Sequence, residues 1–180
     1  MSENRSHRRK CIVLVRHAKS SWDDPALADH DRPLAPRGRK AVRRLRDHLE
    51  RLGLRPDIVL CSSSRRTRET LEGIGTAFGR QTDVQIDREL YAADAEQRLD
   101  RLQHLDDQLT CVVLIGHNPG VADLAGLLVG YGDPTMREQA ADKFPTAAVA
   151  VLSVTGDWSG LQPAVATLDS YWQPRPSTTR

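Results

Sequence analysis

The chain has 180 residues, 39% of them hydrophobic and 28% charged, which suits one globular domain with a sizeable core and excludes a disordered polymer. Its 26 basic and 24 acidic residues leave a formal charge of +2. That balance is too even for nucleic acid as the default partner, so any electropositive feature must be local.

Residues 1–10, basic from Arg5 to Lys10, are expected to form a disordered, solvated start. The apolar run that follows, Cys11 to Val15, is shorter than the roughly 7–15 residues of a secretory core, and no long apolar segment occurs later. A soluble, cytoplasmic protein without membrane contact is therefore expected. Residues 11–16 and 57–61 are apolar runs fit for buried strands, and between them Val42, Leu45, Leu49 and Leu52 recur at helical spacing. A helix from about Ser64 to Phe78 follows, then one around Ala95 to Leu105, then a strand at 111–116. Asn118 is placed to cap a helix carrying Val121, Leu124, Ala125 and Leu128, with Pro119 at its first position. The segment from Gly130 to Pro145 is polar with little periodicity, strands are expected at 147–154 and 164–168, and the tail 173–180 is expected to be disordered. Alternation of this kind predicts a single domain over 11–172, an α/β fold of three layers with a mainly parallel central sheet flanked by helices. Cys11, Cys61 and Cys111 each border an apolar run and read as reduced, strand-associated residues, with no disulfide.

Three of these strands end in cations or imidazoles. The first delivers Arg16 and His17, the second leads to Arg66 on the first turn of a helix, and the strand at 111–116 delivers His117 just before a helix start. Ligands of open α/β sheets bind outside the carboxyl ends of the strands. If these ends lie side by side they form one anion pocket, in which guanidinium forks and helix N–H groups match phosphate oxygens. An imidazole there can attack phosphorus with one nitrogen while a hydrogen bond holds the other.

The stretch Leu14-Val15-Arg16-His17-Ala18 resembles the signature of the histidine phosphatase (phosphoglycerate mutase-like) superfamily, and its continuation Lys19-Ser20-Ser21-Trp22 is similar to the SixA-type phosphohistidine phosphatase branch. The segments Asp31-Arg32-Pro33-Leu34, Cys61 to Arg66, Gly116-His117-Asn118-Pro119-Gly120 and Phe144-Pro145-Thr146-Ala147-Ala148 resemble further motifs of that branch in the same order. The resemblance implies a phosphoglycerate mutase-like fold and catalysis without metal or other cofactor. By the same resemblance His17 is the nucleophile, forming phosphohistidine, and Arg16, Arg66 and His117 hold the phosphoryl oxygens. The substrate it implies is a protein bearing phosphohistidine, or a small phosphorylated molecule. Two departures stand out. Ala92 occupies the position where many members carry a glutamate acid, which leaves the proton donor unassigned with Glu89 and Asp94 nearby, and Ser63-Ser64 replace a common Pro-Ala.

Competing readings are weaker. Cys61 and Arg66 enclose four residues, one fewer than a tyrosine-phosphatase loop needs, so Cys61 reads as a buried strand residue. His30-Asp31 could belong to a metal-dependent phosphohydrolase, yet it stands in a loop without further ligands at metal spacing. Gly73, Gly75 and Gly79 follow a helix rather than a strand, which fails the dinucleotide context. A phosphate-binding domain without turnover remains the alternative from outside the enzymes.

Overall fold

The structure is a computed structural model that describes residues 8–79 and 81–174. In chain order its strands are β1 (Arg9–Arg16), β2 (Ile58–Ser62), β3 (Asp83–Asp87), β4 (Cys111–Gly116), β5 (Val129–Gly132), β6 (Val149–Thr155) and β7 (Ala166–Trp172). The helices are α1 (Pro36–Leu52), α2 (Arg65–Ile74), α3 (Ala95–Gln103), α4 (Gly120–Leu128) and α5 (Pro134–Asp142). The strands form one sheet in the order β3-β2-β4-β1-β6-β7-β5. The β1, β2, β3 and β4 pairings are parallel, as is β5 with β7, while β6 runs antiparallel to both β1 and β7.

Successive side chains of a strand point to opposite faces, and the apolar residues of β1 divide accordingly. Ile12 and Leu14 join one core with Leu60, Leu114, Leu102, Leu124 and Trp158 under α3 and α4. Val13 and Val15 join the other with Val59, Ile115, Leu45, Leu49 and Phe78 under α1 and α2. Both faces of the central strands are thus covered, which is why they read as continuous apolar runs instead of alternating ones. The expected three-layer, mainly parallel architecture is the observed one.

Several boundaries differ from expectation for physical reasons. Arg9 and Lys10, read with the disordered start, belong to β1 because β6 extends far enough to pair with them. Lys10 is 2% exposed, with its ammonium donating to the carbonyls of Asp107 and Leu109 and lying over the Trp158 ring. Residues 1–7 and 175–180 lie outside the described residues, and the expectations of disorder there with them. The polar segment after Gly130 contains α5, whose Asp133 cap accepts from Met136 N–H and whose apolar face amounts to Met136 and Ala140. β3 was not foreseen because it is a five-residue edge strand with Val84 and Ile86 half exposed. Asn118 does not cap α4: its amide donates to Phe144 O instead. The strand expected from residue 147 begins at Val149, because residues 144–148 form the turn before β6. Among the described residues no helix is long and apolar enough to cross a membrane.

α1 is held against the end of β1 by a close backbone approach. A Cβ built on Gly38 would stand 2.2 Å from Lys19 O, closer than any side chain tolerates. Gly38→Ala should therefore cost on the order of 1–3 kcal/mol as overpacking, lowering Tm in calorimetry by roughly 2–4 °C per kcal/mol. An unchanged Tm would show that α1 is free to move.

Candidate active site

Register brings the two histidines together. In the parallel β1/β4 pair Arg16 lies opposite Gly116, so His17 and His117 leave neighbouring strands at the same height. His17 N–H donates to Gly116 O at 3.0 Å, and the imidazole rings stand 5.0 Å apart between centroids. The opposite flank of β1 is clamped by β6. Ala147 N–H is shared between the carbonyls of Arg16 and His17, at 3.1 Å each. Ala147 adopts φ +64° to do this, a left-handed conformation that costs a non-glycine residue about 1–2 kcal/mol. The glycines of the second histidine motif have a separate cause. The guanidinium of buried Arg98 lies against them, and a Cβ on Gly120 would meet its Nη1 at 1.9 Å.

The hydrogen bonds fix the tautomers. His17 Nδ1 is 2.7 Å from Ala18 O, an acceptor, so Nδ1 carries the proton and Nε2 keeps its lone pair. His117 Nδ1 accepts from Arg66 Nη2 at 3.3 Å, so its Nε2 carries the proton and donates to Ser62 Oγ at 2.8 Å. Both rings are 8% exposed. Burial and then the Arg66 and Arg16 cations push the His17 pKa down to about 4. Burial, His17 and Arg66 push His117 down to about 3. Both imidazoles are thus neutral near pH 7.

Arg66 projects from the first turn of α2, where Ser64 caps the helix by accepting from Thr67 N–H. It is 7% exposed. Its two terminal nitrogens donate to the backbone oxygen and the carboxylate of Asp29, the latter at 2.8 Å. Tyr91 Oη–H at 2.6 Å and Arg32 Nη1 at 3.0 Å donate to the same carboxylate. The Tyr91 bond first, and Arg66 and Arg32 with it, lower the Asp29 pKa to about 2. Tyr91 also meets His117 edge-on, with centroids 5.4 Å apart. Asp29 and Tyr91 were absent from the residues expected here. A carboxylate on a loop short of the first helix, and a tyrosine one position short of Ala92, carry no signal in sequence until the fold closes them over Arg66.

Of the four expected residues, His17, His117 and Arg66 converge directly. Arg16 borders them: its Nη1 donates to Phe144 O at 2.9 Å, its Nε has no partner, and burial lowers its pKa. Arg65, by contrast, is exposed and paired with Glu69 at 2.7 Å. Neither acid near Ala92 enters the site. Glu89 is exposed, and Asp94 caps α3 by accepting from Gln97 N–H. His30 bonds Ser63 Oγ and Asp31, and among the described residues no cluster of three or more His, Cys, Asp or Glu could hold a metal.

A neutral imidazole with a bare nitrogen, faced by a second imidazole and a buried guanidinium at the carboxyl ends of parallel strands, defines a site for an anionic group. The sequence profile of the histidine phosphatase superfamily (branch 1) matches residues 12–117, and the chain belongs to that family. An uncharacterized protein of Mycobacterium tuberculosis is 34% identical over 163 residues, covering 89% of this chain and all of that protein. Two solved structures share the fold, each called a "putative phosphohistidine phosphatase SixA". That of Nakamurella multipartitia has 30% identity, a TM-score of 0.80 and coverage of 92% of this chain and 96% of its own. That of Agrobacterium tumefaciens has 27% identity, a TM-score of 0.78 and coverage of 92% and 98%.

The two depressed histidine pKa values carry a sign. Unfolded imidazoles titrate near 6.5, so below that pH the unfolded chain binds more protons, and the stability present above about 6.5 is lost as pH falls toward 4. In an NMR titration the His17 and His117 ring signals should hold their neutral shifts from pH 8 to 5. A midpoint near 6.5 for either would contradict the buried, neutral pair.

Proposed function

We propose that the protein is a metal-independent phosphatase that uses His17 as nucleophile and acts on phosphohistidine carried by proteins. The observation that carries this reading is the tautomer of His17, whose Nδ1–H is spent on Ala18 O while Nε2 remains a bare, neutral nucleophile beside Arg66 and His117. In the first step the His17 Nε2 lone pair forms a P–N bond as the substrate's P–N bond breaks, and the departing imidazole takes a proton from solvent. In the second, water forms a P–O bond as the His17–phosphorus bond breaks, releasing inorganic phosphate and returning His17 to its neutral form. Arg66 and Arg16 hold the equatorial oxygens as charge develops on them, joined by His117 once its Nε2–H turns from Ser62 Oγ to the phosphoryl group, and such positioning and charge stabilisation are most of what phosphoryl transfer requires. The incoming phosphoryl group takes over the Arg66 nitrogens that Asp29 occupies in its absence.

The preference for a P–N bond follows from the protons at hand. An ester leaves as an alkoxide and gains about 10²–10⁴-fold from a general acid. Asp29, a carboxyl group at the pocket, is ionised at neutral pH with its pKa at about 2, Glu89 is exposed, and Asp94 caps α3. A protonated imidazole leaves without that help. The description of the two solved relatives as "putative" phosphohistidine phosphatases points to the same substrate class.

A panel at neutral pH, with His17→Ala as control, tests the reading. kcat/KM for a phosphohistidine-bearing protein should exceed that for phosphoglycerates, sugar phosphates and phosphoserine peptides. A clear preference for one small ester would leave the histidine chemistry standing and overturn the protein substrate.

A further inference from the structure

Beside the phosphoryl pocket a groove of about 830 Å³ opens between α1 and the segment joining α5 to β6. Arg16 and Asn118, the neighbours of the two site histidines, line it together with Lys19, Arg37, Lys40, Lys143 and Asp142. Arg37 and Lys40 stand three residues apart and share one face of α1. The approach of Gly38, on the buried face of α1, to Lys19 O fixes the helix beside the residues that follow β1. Some cations elsewhere on the surface are matched, as in Arg9–Asp169, Arg46–Glu50 and Arg65–Glu69. Among the described residues none of Lys19, Arg37, Lys40 and Lys143 is within ion-pair distance of a carboxylate. In a chain of formal charge +2, this is a local concentration of unmatched positive charge leading to the nucleophile.

We propose that this groove docks an acidic segment of the phosphoprotein substrate, lying alongside the phosphorylated histidine. The inference rests on the phosphohistidine reading and names the partner surface that reading requires. A small polyanion fits less well, because small ligands are recognised by enclosed sites with a few fixed polar groups, whereas Arg37, Lys40 and Lys143 are exposed side chains on an open groove. Trp22 points to a protein as well. Trp22 is 72% exposed, and the guanidinium of buried Arg32 lies over its ring, 3.1 Å from the centroid, on the loop that carries Asp29. Exposed aromatic rings and arginines are what protein interfaces bury. Complementary charge of this kind acts mainly on encounter and register, and is screened by salt.

Two synthetic phosphohistidine peptides, one flanked by glutamates and one by serines, test the proposal with the wild type and an Arg37→Glu/Lys40→Glu variant. At low salt the wild type should turn over the acidic peptide with a kcat/KM roughly 10- to 100-fold above that of the serine peptide, through KM rather than kcat, and about 0.5 M salt should erase the difference. The variant should lose the preference and retain turnover of the serine peptide. Lys143→Glu, on the opposite wall, should weaken the preference in the same direction. A preference that survives in both variants, or equal losses on both peptides, would overturn the docking groove while leaving the phosphatase reading intact. Turnover of neither peptide by the wild type would instead overturn the phosphohistidine reading. The groove is then decided by affinity for the unphosphorylated glutamate peptide: tighter binding to wild type than to the variant upholds it, and equal affinities refute it.

Discussion

The parallel pairing of β1 with β4 is the constraint on which the rest of the site depends. Its register, from Cys11 opposite Cys111 to Arg16 opposite Gly116, carries two histidines a hundred positions apart in sequence to adjacent strand ends. Each hydrogen bond of that ladder contributes only about 1 kcal/mol net, but a one-residue slip would turn every apolar side chain of β1 from one core to the other. The cores on the two faces therefore hold the register, and the register holds the pair of imidazoles. β2 is paired with β4 so that Cys61 lies opposite Ile115, which leaves Ser62 within reach of His117. The chemistry at the strand ends is a consequence of packing decided deep in the sheet.

Electrostatics at those ends follow from how little water reaches them. Burial is the largest influence on both histidines and disfavours their charged forms, and the nearby guanidinium groups add to it. Both imidazoles are thus kept neutral beside two guanidinium groups without a neighbouring base. Arg66 is paired with the Asp29 carboxylate, which is in turn held by Tyr91 and Arg32. Asp29 stands on an exposed loop with about half of its side chain in solvent, so its bond to Arg66 can open without disturbing the core.

The buried strands, α1 and the convergence of His17, His117 and Arg66 were legible in the sequence because each produces a local signal: a continuous apolar run, a helical stripe, or a cation at the end of a strand. What escaped is what has no such signature. β3 is a half-exposed edge, and α5 hides one narrow apolar face in an otherwise polar stretch. Asn118 had the chemistry of a cap and was claimed by a carbonyl from a distant turn, Phe144 O. Lys10 looked like part of a solvated tail until Trp158 and the 107–109 turn folded over it. Asp29 and Tyr91 are ordinary loop residues along the chain and become part of the site only by meeting at Arg66.

The central claim is that His17 carries the phosphoryl group, and trapping the intermediate tests it most directly. After brief reaction with a labelled phosphohistidine protein and quenching in base, the wild type should retain stoichiometric label that is stable to alkali, released by mild acid, and located on His17 by peptide mapping. Label found on another residue, or full turnover by His17→Ala, would contradict the account.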